Sequence, residues 1–309
     1  MTKVTIITPT YNRSEKLPET IESVLDQTYD RFEYIIVDDG STDDTHEVIE
    51  RFGDDRIEYI QLDTNYGANF ARNIGIRASD SEYITFIDSD DKWRPDRLER
   101  ICDLFDEVPT GICGITHSFE STIEGQTVNQ FRVRSGRITK QDLASGNPIG
   151  GFSNIQVESK LFEQVGLLDE QMPAYQDYEF YLRALDVCDF YGIDDLLCTK
   201  TKGAFERSVD RISDNVQRKV RGQELLLSKH GNFITDRARA AFYYSRGRLY
   251  MAAGNVSKGQ SAFKKAIQIY PYSGLYYYSY VAALCGQRVF KTAQNIKRKV
   301  YLFWNTLFS

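Results

Sequence analysis

The sequence predicts an α/β protein: a parallel sheet with helices on both faces, followed by a small all-helical C-terminal region. Three observations carry this. From Lys3 to Asp91 short apolar runs alternate with segments of helical periodicity, joined by short connections. Three of the apolar runs end in polar, mostly Asp-rich stretches, IITPTYNR at 6–13, VDDGSTDDT at 37–45 and ITFIDSDD at 84–91. The composition then changes near 230–237. The last 73 residues hold 12 Lys or Arg and no Asp or Glu, so residues 1–236 carry a net −18 within a chain whose total is −6. That change sets the expected domains, 1–230 and 231–309.

The elements follow in order. Residues 3–8 form a strand closed by Pro9, and 16–27 place Leu17, Ile21, Val24 and Leu25 at helical spacing. Strands are expected at 32–37, 57–62 and 83–87, with helices at 41–52, capped by Ser41, and at 68–78. Beyond Asp91 the rhythm loosens. A helix is expected at 97–105 and a strand at 112–119, then an irregular stretch over 120–150. A strand at 152–157 and helices at 159–165 and 177–187 follow, with a polar loop at 198–215. Residues 243–271 resemble one tetratricopeptide repeat, with Gly247, Tyr250, Gly254, Phe263, Ala266 and Pro271 at its spacing; an ordinary helical hairpin is the alternative.

A hydrophobic fraction of 41% and a charged fraction of 27% are those of an ordinary soluble globular protein. Five cysteines, odd in number and without a CxxC pair, argue against a disulfide framework or a zinc site and for a reducing compartment. The chain opens on a strand pattern rather than a secretory signal, and no window reaches the length of a membrane span. A cytoplasmic location is therefore expected, at most peripheral at the inner face of the cell membrane.

In an open α/β sheet the carboxyl ends of the strands line the ligand crevice. Asp38, Asp39, Asp88, Asp90 and Asp91 should then converge, and so many carboxylates repel unless a cation sits among them. A hard divalent metal carrying a substrate phosphate is the natural occupant. The ordered set TPTYNR, VDDGSTDDT, NYGANFARNIGI at 65–76, YITFIDSDD and GLLDEQMPAYQDYEFYLR at 166–183 resembles the family 2 glycosyltransferases of the GT-A fold, over roughly residues 3–200. The resemblance implies a Rossmann-like mixed sheet and an inverting enzyme. Such an enzyme moves a sugar from a nucleotide-diphosphate sugar, most simply a UDP-sugar, to a hydroxyl of a glycan or lipid-linked acceptor, with Mg²⁺ or Mn²⁺.

Residue by residue, the resemblance makes Asp90 the metal ligand and Asp88 the ribose contact, with Ser89 between them in the donor site. It assigns Asp39 to the base and Asp38 to support or ribose contact. Pro9, Thr10 and Tyr11 lie beside the nucleobase, and Arg72 reaches the base or the phosphates, unless it pairs with one of the aspartates. Asp177 becomes the general base. The family usually has Glu-Asp at that place, whereas this chain has Gln176-Asp177. Many relatives also carry a late His near the diphosphate. Here the histidines are His46, His117 and His230, so Lys200, Lys202, Arg207 or Arg211 would have to supply the charge.

The end of the chain interleaves aromatics with cations. Val289, Phe290, Ala293, Ile296, Val300 and Phe303 fit a helical stripe flanked by Arg288, Lys291, Lys297, Arg298 and Lys299. Residues 288–309 therefore suit either a lipid headgroup interface or docking on the acidic domain. No motif for nucleic acid is present. Two rival functions are a GT-A-like domain without chemistry that binds a partner through its helices, and a nucleotidyltransferase. The latter would show a Gly-rich basic phosphate loop near the first strand, and IITPTYNRSEK has none.

Overall fold

The computed structural model describes residues 4–123, 125–201 and 215–294. It divides into two compact units, Met1–Leu143 with Asn147–Arg207, and Ala144–Gly146 with Ser208–Ser309. The division falls earlier than the composition boundary at 230.

The first unit runs β1 (Val4–Thr10), α1 (Leu17–Leu25), β2 (Phe32–Asp38), α2 (Thr45–Glu50), β3 (Ile57–Gln61), α3 (Ala68–Ala78), β4 (Tyr83–Phe86), β5 (Asp91–Trp93) and α4 (Arg97–Glu107). It continues with β6 (Ile112–Ile123), β7 (Gln126–Phe131), β8 (Gly136–Ile138), α5 (Lys140–Leu143), β9 (Ile155–Glu158), α6 (Lys160–Val165), α7 (Gln176–Ala184) and β10 (Asp189–Thr201). The sheet order is β3-β2-β1-β4-β9-β6-β10-β5, with β7 on β6 and β8 on β10. Strands β3, β2, β1 and β4 are parallel, and β9 is antiparallel to both β4 and β6. The sheet is thus mixed rather than parallel throughout. Every residue of β1 is buried, as expected of a central strand covered on both faces.

Register brings the motifs together. Thr10 pairs with Asp38 at the ends of β1 and β2, and Ile7 pairs with Phe86 one strand over, so three of the polar ends share one edge of the sheet. The fit of α3 on β1 depends on Gly75, where a Cβ would stand 2.6 Å from Ile7 Cγ2. Gly75→Ala is therefore expected to destabilise the protein. Overpacking costs about 1–3 kcal/mol, while the helix gains up to about 1 kcal/mol over Gly. A urea midpoint equal to or above that of the native protein would contradict this.

Several expectations are corrected. Ser41 does not cap a helix: α2 starts at Thr45, and the Ser41 hydroxyl accepts from Asn12 N (2.8 Å). Residues 120–150 contain the end of β6, then β7, β8 and α5. The long strand β10 was not foreseen, because Asp194 and Asp195 interrupt its apolar pattern where its register on β6 shifts. Those two acids are taken up by Arg132 (3.1 Å) and Arg100 (3.0 Å). Cys113 and Cys188 form one disulfide, with Cα atoms 6.0 Å apart. Their separation of 75 residues left no spacing signal. Cys102 and Cys198 are buried and Cys285 is exposed, all three outside the disulfide.

The second unit holds α8 (Val216–His230), α9 (Asp236–Ala252), α10 (Val256–Ile269) and α11 (Gly274–Leu284). Asn215 and Thr235 cap α8 and α9 by accepting from Arg218 N and Ala238 N. Helices α9 and α10 form the helix-turn-helix expected over 243–271. Their close approach needs Gly247, where a Cβ would lie 2.5 Å from the Phe263 ring, and Gly259, where it would lie 2.7 Å from Met251 Sδ. Phe290, part of the stripe expected either to meet lipid or to dock, is buried in this unit's core with Phe263 and Met251. The rest of that stripe beyond 294 lies outside the described residues. Among the described residues no helix is long and apolar enough to cross a membrane.

Candidate active site

The carboxyl edge of β1 and β2 is tied together by main-chain and carboxylate contacts. The Thr10 carbonyl accepts from Asp39 N (2.8 Å), and Asn12, at φ 51°, accepts from Thr42 N. Asp38 is fully buried and spent on structure: its carboxylate accepts from Ser41 N and from the Tyr59 hydroxyl, both at 2.8 Å. Asp39 accepts from Tyr66 N and Gly67 N, both at 2.7 Å. Burial pushes Asp39 above the usual carboxylate range, and those two amides only partly oppose it. Gly40 (φ 75°) allows the chain past Thr64, whose backbone a Cβ would meet at 2.7 Å. Pro9 and Thr10 are buried at the end of β1, while Tyr11 and Tyr66 are exposed beside this edge.

The turn after β4 carries the DSDD run. Asp88 pairs with Arg72 at 2.6 Å. Arg72 is nearly enclosed: it donates to Asn69 Oδ1 (3.2 Å) and Gln176 Oε1 (3.5 Å) and lies 4.7 Å over the Phe152 ring. So the pairing alternative for Arg72 is the arrangement present, and Gln176 does its work as an acceptor for that guanidinium. Burial would raise Asp88, but Arg72 and Lys200 outweigh it and hold the carboxyl below its ordinary value. Asp88 N donates to the Ser153 hydroxyl (3.0 Å). Ser89 is buried and Asp90 half-buried. Asp91 is buried, with Lys200 Nζ at 3.6 Å and its Oδ2 shielded without a hydrogen bond. Burial pushes it up to about 7, against the pull of Lys200.

Helix α7 presents the third part. Tyr175 precedes it at φ 60°, a left-handed conformation uncommon for an aromatic residue. What holds the segment in place is α3. Asn69 Nδ2 donates to the Asp169 carbonyl, Asn73 Nδ2 to the Leu168 carbonyl, and Leu168 N back to Asn73 Oδ1, all within 2.8–3.0 Å. The Asn and Arg residues of the 65–76 motif thus anchor the segment that ends in Asp177. Asp177 Oδ1 accepts from Tyr178 N (2.8 Å) and Oδ2 from Asn147 Nδ2 (3.4 Å). Burial raises its proton affinity above that of an ordinary Asp, with Tyr178 N–H and Lys200 opposing.

Of the four cations the sequence offered, Lys200 is the one within the described residues, and it joins Arg72 in this crevice; Lys202, Arg207 and Arg211 lie outside the described residues. Its Nζ lies 4.6 Å over the Phe119 ring. A Cβ on Gly151 would sit 2.9 Å from that Nζ and 4.0 Å from Asp177 Oδ2, so ammonium and carboxylate flank one glycine. Burial opposes its charge, yet Asp91, Asp88 and Asp177 together raise its pKa. Residues 147–154, which shape this wall through Asn147, Gly151, Phe152 and Ser153, gave no motif in the sequence. His117 is buried against Arg97 and held neutral by burial and that charge, away from ligand duty.

Among the described residues no group of three or more His, Cys, Asp or Glu is arranged to hold a metal alone. A magnesium-type ion needs only one or two carboxylates when phosphate oxygens supply the rest. Asp90, half-buried in the same turn, is the carboxylate available to such an ion, since Asp91 Oδ2 already faces the Lys200 ammonium.

A mixed sheet of this order with an acid-lined carboxyl edge is the architecture of a GT-A glycosyltransferase. Solved structures share it. S. aureus TarS 1–349 in complex with UDP-GlcNAc matches 96% of this chain and 92% of its own at TM-score 0.66 and 19% identity. The Pyrobaculum calidifontis mannosyltransferase PcManGT, in complex with GDP-Man and Mn²⁺, matches 98% of this chain and 87% of its own at TM-score 0.60 and 17% identity. The model of Glycosyl transferase family 2 matches residues 5–166. An uncharacterized glycosyltransferase of Haemophilus influenzae is 31% identical over 221 residues, 70% of this chain and 74% of that protein. The putative teichuronic acid biosynthesis glycosyltransferase TuaG of Bacillus subtilis is 34% identical over 172 residues, 55% of this chain and 66% of its own. The chain belongs to glycosyltransferase family 2.

Proposed function

We propose that the protein transfers a sugar, with inversion, from a UDP-sugar to a hydroxyl of a glycan or lipid-linked acceptor, with Asp177 as general base. The observation that carries this is the half-buried Asp177 carboxylate, raised in proton affinity and brought near the Lys200 ammonium at Gly151. The acceptor oxygen attacks the anomeric carbon as the bond from that carbon to the diphosphate oxygen breaks. Asp177 takes the hydroxyl proton, and Lys200 stabilises the departing negative charge. Asp39, Tyr11 and the end of β1 frame the nucleobase, and Asp88, fixed by Arg72, faces the ribose. Bound through Asp90, Mg²⁺ or Mn²⁺ would neutralise diphosphate charge. UDP-GlcNAc in TarS favours a uridine donor, and the name of TuaG favours a cell-surface glycan as acceptor class.

Asp90→Ala is expected to abolish metal-dependent donor binding and leave the fold intact, since it removes one carboxylate from a crowded set. Titration of UDP with and without Mn²⁺ checks this. Unchanged Mn²⁺-dependent affinity in the variant would remove Asp90 from the metal site.

A further inference from the structure

The second unit carries a groove of about 310 Å³ that the catalytic reading leaves unused. Each of its three walls is one helical stripe. Glu224 comes from α8, Tyr243, Arg246 and Tyr250 from α9, and Lys258 and Lys265 from α10. The spacings on α9 and α10 put these side chains on one face of each helix. Arg246 is the buried centre. Its Nε donates to the buried Gln223 Oε1 (2.7 Å) and its plane lies 4.8 Å over Tyr243. Glu224 stands 3.7 Å from Nη1, beyond hydrogen-bond distance, and Nη2 is shielded with no hydrogen-bond partner. A guanidinium has five donors, and leaving one buried and unmet is unfavourable. Lys258 Nζ lies 5.8 Å from the Tyr250 ring centre, at the exposed side of the groove.

We infer that this groove binds a phosphate group carried on a larger molecule, with Arg246, Lys258 and Lys265 as its cations. Three positive charges face one acid, in a segment that holds 12 basic and no acidic residues from Arg237 onward. A fork of guanidinium donors matches phosphate oxygens, and a small side-chain movement would offer Nη2 an acceptor it lacks. The volume is that of a ligand site rather than of a lone phosphate, and the rings of Tyr243 and Tyr250 supply apolar contact for the carrier. The inference does not depend on which sugar the catalytic unit transfers.

The test is calorimetric titration of the full chain with inorganic phosphate, and co-sedimentation with phosphatidylglycerol vesicles. Native protein is compared with the Lys258→Gln/Lys265→Gln double variant, with Arg246→Gln and with Lys200→Gln, which alters only the catalytic crevice. Phosphate affinity is expected to fall about tenfold or more in the double variant and to persist in Lys200→Gln. The exposed lysines keep the test valid if Arg246→Gln does not fold. Vesicle binding lost in the double variant would make a lipid headgroup the source, and phosphate binding without vesicle binding a soluble or polymeric one. No binding of either probe, or binding lost only in Lys200→Gln, overturns the inference.

Discussion

Asp177→Asn is expected to lower transfer by about 10²–10⁴-fold while donor binding stays close to that of the native protein. The amide keeps the shape of the side chain and can still accept from Tyr178 N, so α7 should stay in place. It cannot take up the acceptor's proton. The native enzyme should carry the matching signature in its pH profile. The base works deprotonated, and burial raises its pKa, so kcat/KM should rise with pH through a value above the ordinary carboxylate range and be lost below it. That acid limb should vanish in the Asn variant. The product should have the anomeric configuration opposite to the donor's. Retained configuration, or a variant within a few-fold of native, would overturn the assignment of Asp177.

How much of this was legible in the sequence depends on whether the information was local. The strand ends at Thr10, Asp38 and Asp88 are local: an apolar run stops at polar residues, and parallel pairing aligns the stops. The place of Asp177 at the start of α7 was legible through its motif. The wall opposite was not. Gly151 matters because Lys200 and Asp177 approach it from elements distant in the chain, and no local pattern records that. Arg72 shows a different limit. Its motif announced a cation at the site but not its direction, which follows from Asp88 at 2.6 Å and the Phe152 ring. Strand β10 was missed because Asp194 and Asp195 serve Ser118, Arg132 and Arg100, tertiary partners that outweigh the polar pattern they create. The disulfide between Cys113 and Cys188 was invisible for the same reason, as pairing is set by the fold rather than by spacing.

Lys200→Gln is expected to reduce kcat by about 10²–10³-fold, the usual loss when one fixed group stabilising transition-state charge is removed. Two effects compete and can be separated. Lys200 is also the partner of buried Asp91, and breaking a buried pair from one side costs about 3–5 kcal/mol when the remaining charge is trapped. Here the trap is shallow. Asp91 already sits at about 7 with the ammonium beside it, so without that cation it takes up a proton more readily and escapes most of the penalty. The variant should therefore fold, with a modest loss of stability. Its pH profile gives the independent check. Lys200 lowers the proton affinity of Asp177, so the acid limb of kcat/KM should move to higher pH in the variant. A purely structural role for Lys200 predicts the opposite pattern: a large fall in the unfolding midpoint, near-native kcat in the folded fraction and an unmoved acid limb. Lys200→Arg should recover part of the rate, because it restores a positive charge over Phe119 in a bulkier, more diffuse group that fits less closely beside Gly151.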